Sequence, residues 1–346
     1  MKILVLTQKV DVNDDLLGFF HGWLAIMAEK FEQVTVICLQ KGEYRLPPNV
    51  AVYSLGKEKK QSRLMYVANF YRFIWQFRRQ YSCVFVHMNA IYVALGGLFW
   101  KIMGKKIILW YIHPRPDKYL KIAIFFCDKI VSAAPGSFPL ATEKINYVGH
   151  GINLNIFKKE ERAVPQTDFL FVGRISPVKN LIVLAGALSK LYEQGNKYRI
   201  KFVGGHSDKD RDYYNQIRSS LKEYEGLGLV KFSDQKPNWA MPEIYNQTQV
   251  LLNLTQTGSF DKAILEAMAC EVLVLVANTA FIDVVPAELI FKENNSLDLA
   301  EKMKSAISLS FEQKRNYGRQ LRRFVLENHN LDNLIEKLKL IYESIS

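Results

Sequence analysis

Phe169-Leu170-Phe171-Val172-Gly173-Arg174-Ile175-Ser176-Pro177-Val178-Lys179-Asn180 is the stretch from which the fold is read. Its four leading apolar residues, stopped by a glycine, predict a buried strand. Past that strand come two cations, Arg174 and Lys179, five positions apart. In open α/β sheets ligands bind beyond the carboxyl ends of the strands, so cations at such a place point to an anion. The plain alternative is a pair of surface cations at a turn.

A second stretch, Gly258-Ser259-Phe260-Asp261-Lys262-Ala263-Ile264-Leu265-Glu266-Ala267-Met268-Ala269-Cys270, reads as a loop entering a helix. Free N–H groups near Phe260, Asp261 and Lys262, with the positive end of the helix dipole, favour negative charge. Lys262 either adds to that charge or points to solvent. Glu266 either complements the dipole or meets the vicinal hydroxyls of a ribose, as carboxylates do in dinucleotide sites. Two cations, a helix N-terminus and a carboxylate together outline a place for a nucleoside diphosphate carrying a sugar.

Composition sets the frame. The chain has 346 residues, 49% hydrophobic and 23% charged, which suits a globular protein too long for one core. Two domains follow as the expectation. Cys38, Cys83, Cys127 and Cys270 show no CxxC spacing and read as buried, reduced thiols of a cytosolic protein. The apolar run at residues 1–7 is too short for a secretion signal and predicts a first strand. The longest apolar region, 91–112, is broken by Lys101, Lys105 and Lys106, so no membrane span is expected. The net charge of +12 favours anionic partners, whether nucleotide phosphates, anionic lipid or nucleic acid.

Strand and helix patterns alternate through both halves, predicting parallel sheets covered by helices on both faces. In the first half, strands are expected at 2–7, 34–39, 50–55, 84–87, 106–112, 129–133 and 145–148. Helices are expected at 16–31, capped by Asn13 and Asp14, and at 63–80 and 90–103. A charged segment at 158–168, containing Pro165, reads as the linker. The second half repeats the alternation from Phe169, with one helix expected over 212–224. It closes on a helical pattern at 331–345 with Leu334, Ile335, Leu338 and Ile341 on one face.

Gly173-Arg174 with Lys179, and Leu265-Glu266-Ala267-Met268-Ala269, resemble the retaining glycosyltransferases of family 4, the group 1 glycosyl transferases. The resemblance spans essentially the whole chain, with its specific motifs in the second half. It implies the GT-B fold: α/β, two Rossmann-like domains facing across a cleft, with a C-terminal helix crossing back to the first domain. The acceptor-side domain is then 1–160 plus helix 331–346, and the nucleotide-sugar domain 166–328. The family pairs its Glu with a second one eight positions earlier, but here Gly258 stands there, and Ser259 and Asp261 replace usual glycines. That departure bears on the donor sugar rather than on the family.

The resemblance implies roles for individual residues. Arg174 and Lys179 would stabilise the leaving diphosphate, and His113, at the end of a first-domain strand, would contact the donor sugar. Gly173, Glu266, Gly258, Ser259, Phe260, Asp261 and Lys262 would bind the donor. Gly204 and Gly205 correspond to a turn beside the nucleotide, and backbone at 232–237, including Pro237, to the side of the base. Gly18, His21 and His87 would line the acceptor side. Gly149-His150-Gly151-Ile152-Asn153 corresponds in position to a segment near the linker. No cofactor is implied, and no metal: no Asp-x-Asp motif precedes an obvious site, and Arg and Lys take the metal's place in the family.

The basic stretch 57–79 interleaves Arg63, Arg72, Arg78 and Arg79 with Leu64, Tyr71 and Trp75, opposed only by Glu58. It predicts either a helix with a solvated basic face or a peripheral surface for anionic lipid. The resulting expectation is a cytoplasmic enzyme that uses a nucleotide sugar and a carbohydrate or lipid-linked acceptor, without nucleic acid. On the residues alone two alternatives stay open: a degenerate relative that binds nucleotide sugar with little turnover, and a basic nucleic-acid-binding or scaffold protein, which no RNA-binding or zinc motif supports.

Overall fold

The structure, a computed structural model, describes residues 1–113, 115–255 and 261–345. The chain divides into two compact units. One holds Met1–Asn153, Pro237–Trp239 and Asn328–Ser346; the other holds Leu154–Lys236 and Ala240–Glu327. The division falls earlier than the charged segment 158–168. Residues just past Asn153 are bound to the second unit: Asn246 Nδ2 donates to the Lys158 carbonyl at 2.9 Å, and the Phe157 ring lies 6.1 Å from that of Tyr245.

The first unit runs β1 (Lys2–Val10), α1 (Phe19–Lys30), β2 (Gln33–Lys41), β3 (Val50–Ser54), α2 (Arg63–Gln76), β4 (Cys83–His87), α3 (Ala90–Ile102), β5 (Lys106–Trp110), α4 (Leu120–Phe126), β6 (Lys129–Ser132) and β7 (Ile145–Tyr147). The seven strands form one parallel sheet in the order β3-β2-β1-β4-β5-β6-β7. Alternation along β1 divides its side chains between two cores. Ile3 and Val5 join Phe20, Trp23 and Leu24 of α1 on one face, while Leu4 and Leu6 join Phe70 and Ile74 of α2 on the other. All four cysteines are buried and free.

The second unit runs β8 (Thr167–Val172), α5 (Leu181–Glu193), β9 (Ile200–Val203), α6 (Arg211–Ser220), α7 (Lys222–Gly226), β10 (Val230–Ser233), α8 (Met241–Asn246), β11 (Thr248–Asn253), α9 (Lys262–Ala269), β12 (Leu273–Val276), α10 (Ser296–Ser308) and α11 (Phe311–Asn328). Its parallel sheet has the order β10-β9-β8-β11-β12. The last helix, α12 (Leu331–Ile345), belongs to the first unit. Leu334, Ile335 and Leu338 enter the α1 core, and the Tyr342 hydroxyl donates to the Val84 carbonyl at 2.6 Å.

Two local expectations change, and one helix, α4, is additional. The first helix starts at Phe19, not near Leu16. Asp14 caps a separate turn, accepting from the Leu16 and Leu17 N–H groups, and is held by Lys9 at 2.7 Å. Gly18 follows that turn, where a Cβ would lie 2.3 Å from the Asp14 carbonyl oxygen. The helix expected over 212–224 splits into α6 and α7 at Leu221, whose side chain is fully buried. The short α4 had no periodic signal long enough to read.

The segment Gly149-His150-Gly151 passes beside the start of α12. Gly151 has φ +68°, and a Cβ there would meet the Trp23 ring at 2.6 Å. His150 N–H donates to His329 Nδ1 at 3.2 Å. Burial first, and the nearby Lys337 charge second, push His329 down to about 4. The unfolded chain therefore takes up a proton near pH 6.5 that the native protein refuses until about 4. Stability from this group is intact above 6.5 and falls as pH drops through that window, by about 3 kcal/mol in all. His329→Asn keeps an acceptor but does not titrate. Urea melts across the window are expected to show the wild type losing stability relative to this variant, and parallel curves would refute the assignment.

Candidate functional site

β8 is the pivot of the second sheet: β9 and β10 lie on one flank, β11 and β12 on the other. The order of winding therefore reverses between β8 and β11, and such a switch point is where open α/β sheets receive ligands. The strand ends on the first flank are tied together by backbone. Gly173 N–H donates to the Val203 carbonyl at 3.0 Å, Ile175 N–H to Gly205 at 2.8 Å, and Gly204 N–H to Ser233 at 3.0 Å. Gly204 has φ +148°, and a Cβ there would lie 2.0 Å from the Gly173 carbonyl oxygen. No side chain fits between the β8 and β9 turns.

The two cations beyond β8 differ in their surroundings. Arg174 is exposed. Lys179, in the turn Pro177–Lys179, reaches across the switch point. Its Nζ lies 2.5 Å from Asp261 Oδ2 and 3.1 Å from Thr255 Oγ1, and both side chains of the ion pair are only 20% exposed. Asp261 is also the N-cap of α9, accepting from the Ala263 N–H at 3.2 Å, and Asn253 Nδ2 donates to it at 3.1 Å. Burial pushes its carboxyl up, but the Lys179 charge and these hydrogen bonds outweigh that and leave it below the ordinary carboxylate range. A carboxylate thus already sits where a lysine, a helix N-terminus and an amide converge, the donor set that suits a phosphate.

Glu266 lies one turn further into α9 and is buried. Its Oε2 accepts from the Tyr245 hydroxyl at 3.0 Å. Burial, and then the Glu266 charge, raise the Tyr245 hydroxyl far above its usual range, so Tyr245 remains a donor. Burial lowers the Lys262 ammonium, against the pull of Glu266 four residues on.

On the other flank, a cavity of about 400 Å³ opens at the ends of β9 and β10. Gly204, Gly205, Ser233 and Asp234 line it together with His206, Tyr214, Arg218 and Phe232. The His206 and Tyr214 rings lie 4.5 Å apart, and the Arg218 guanidinium sits 5.2 Å from the Phe232 ring, held by Glu225 at 2.5 Å. Sequence reading named the glycines and the β10 end but missed His206, Tyr214 and Arg218. Their available signal was the spacing Tyr214–Arg218 on a helix preceding that strand. Pro237 is not among the residues lining this cavity, and groups with the first unit.

In the first unit the winding reverses between β1 and β4. His87 ends β4 with its ring buried, stacked 4.1 Å from Phe20 and 3.3 Å from Thr7 Oγ1. His21 is half-buried on α1, and its Nε2 accepts from the Arg45 N–H at 3.0 Å. His113 follows β5 and is exposed, its Nδ1 accepting from the Arg115 N–H at 3.1 Å. Gly258, Ser259 and Phe260 lie outside the described residues.

Residues 153–324 match the family model of the glycosyl transferases group 1. That span contains Gly173, Arg174, Lys179, Gly204, Gly205, Asp261, Lys262 and Glu266, together with the cavity. The group 1 region thus covers the whole constellation around β8, whereas Gly18, His21, His87 and His113 lie outside it.

Solved structures extend the likeness over the full length. HepE of Anabaena, solved with UDP, aligns over 99% of this chain and 100% of its own at 16% identity, with a TM-score of 0.75. HepE has also been solved with UDP-glucose. A glycosyltransferase of Rickettsia africae aligns over 99% and 98% at 15% identity and a TM-score of 0.73. The lipopolysaccharide outer core galactosyltransferase WaaB, in its apo form, aligns over 99% and 100% at 14% identity and 0.66. At these identities the likeness is one of fold, the two parallel α/β domains of GT-B glycosyltransferases. No protein of curated function matches the sequence.

Within the group 1 region the Asp-x-Asp spacing does occur, in Asp208-Lys209-Asp210-Arg211-Asp212. Asp208 pairs with Arg211 at 2.9 Å, and Asp210 accepts from the Ser207 hydroxyl. Among the described residues no three His, Cys, Asp or Glu side chains come together as metal ligands.

Proposed function

We propose that this chain is a retaining glycosyltransferase of family 4. It transfers a hexose from a UDP- or GDP-sugar to an acceptor hydroxyl in the assembly of a cell-surface polysaccharide or glycolipid, at the cytoplasmic face of a membrane. The observation that carries this is the Lys179–Asp261 pair on the N-terminus of α9, beside the exposed Arg174 and one strand away from the cavity. The group 1 match and the UDP and UDP-glucose held by HepE support the choice of ligand.

In this reading the base enters the cavity beside Tyr214 and Arg218, and the diphosphate lies across the Gly173 turn. Arg174 and Lys179 then face the oxygens that gain negative charge as the sugar leaves, so they stabilise the transition state more than the bound donor. To do so Lys179 exchanges the Asp261 carboxylate for phosphate. Glu266, oriented by Tyr245, takes the ribose hydroxyls. Retention follows if the acceptor attacks on the face the leaving group vacates, which asks for positioning and charge more than for a strong base.

Thermal melting with uridine, UDP, GDP and ADP tests the reading. A diphosphate at a hundred times its Kd is expected to stabilise by about 2.7 kcal/mol, a shift of several degrees. Uridine alone gives little. Equal shifts with uridine and UDP, or none with any diphosphate, overturn the assignment.

A further inference from the structure

We propose that the outer face of α2, α3 and α4 is a docking surface for an anionic lipid bilayer. On α2, Leu64, Val67, Tyr71 and Trp75 recur at helical spacing, yet all four are exposed, while Phe70, Phe73 and Ile74 face the sheet. Leu64 is 83% exposed, Ile102 on α3 78%, and Phe125 on α4 77%. These helices form one layer. The Tyr71 hydroxyl donates to the Leu95 carbonyl at 2.9 Å, the Trp75 and Phe99 rings lie 5.9 Å apart, and a Cβ on Gly97 would lie 2.5 Å from the Phe126 ring. The apolar side chains therefore share one continuous surface.

Charge decides the occupant. Between Glu58 and Asp117 the chain has ten Lys or Arg and no carboxylate. Lys101 is neutralised by Asp128 at 2.7 Å, but Arg72 and Arg79 are exposed, and Arg78 lies over the Trp75 ring at 4.2 Å. Aliphatic and aromatic side chains rimmed by cations match the acyl boundary and phosphates of an anionic leaflet. A second copy would set cations against cations, and nucleic acid offers nothing to Leu64, Ile102 or Phe125. No helix among the described residues is long and apolar enough to cross a membrane, so the contact is peripheral.

The test is co-sedimentation of the full chain with vesicles of phosphatidylcholine, or of phosphatidylcholine with phosphatidylglycerol, at low and high salt. Binding is expected on the anionic vesicles only, and salt reverses it. Each cation near the leaflet is worth about fivefold in partition, so Arg72→Gln with Arg79→Gln lowers binding about 25-fold. Leu64→Gln with Phe125→Gln also lowers it, and both pairs change exposed residues that leave the core intact. Brominated lipid is expected to quench Trp75.

Equal partition to both vesicles, none to either, or no effect of the apolar pair overturns the proposal. So does self-association that the apolar pair abolishes, or oligonucleotide binding as strong as vesicle binding. No nucleotide is present, so this proposal and the sugar-transfer reading can each fail alone.

Discussion

Arg174→Ala is expected to weaken UDP binding roughly 10- to 150-fold while leaving the unliganded protein as stable as before. The fold-change follows from the loss of one charged hydrogen bond to phosphate, worth about 1.5–3 kcal/mol. Stability is spared because Arg174 is exposed and forms no ion pair among the described residues. Lys179→Ala is expected to match the affinity loss but to behave differently without ligand. It strands Asp261 without its cation beneath a partly buried site, and breaking a buried pair costs about 3–5 kcal/mol. Calorimetric titration with UDP and urea melts of both variants give the two readouts. Full affinity in the double variant Arg174→Ala with Lys179→Ala removes the diphosphate site from this place.

Asp261→Ala is the second large effect. It loses the ion pair and the α9 N-cap together, so a cost of about 4–6 kcal/mol is expected. The same change frees Lys179 for phosphate, so UDP affinity is expected to rise. UDP then restores more stability to the variant than it adds to the wild type. The sign with pH follows from the lowered carboxyl: its contribution is fully present above the ordinary value of 3.8 and is lost as pH falls through its lower native value. The gap between wild type and Asp261→Asn, which keeps the cap but not the charge, should be flat above 3.8 and close in stronger acid. If UDP affinity drops in Asp261→Ala, the carboxylate helps to bind the donor and does not compete with it.

The departure from the family's paired carboxylates takes on a different meaning with the pair in view. Gly258, where the family has its first Glu, lies outside the described residues. Asp261, by contrast, is paired with a cation 82 positions earlier, Lys179. A motif read along the chain records which residue types are present, and it is silent on which of them neutralise each other.

The sequence by itself determined the class of fold and most of its parts. Apolar runs stopped by glycine at Phe171-Val172-Gly173, and the periodicity of Leu334, Ile335 and Leu338, are local patterns that read as a buried strand and a packed helix. It also determined that cations follow β8 and that a carboxylate lies on α9. The tertiary structure decided what those groups meet. The strand order β10-β9-β8-β11-β12 sets Lys179 against Asp261 and the Gly173 turn against Gly204. It also brings Tyr214 and Arg218 over the end of β10, and leaves Leu64, Val67, Tyr71 and Trp75 of α2 uncovered. The physical reason is one of range. Secondary structure follows from neighbours a few residues apart, whereas an ion pair, a cavity wall or an uncovered face depends on which strand lies next to which.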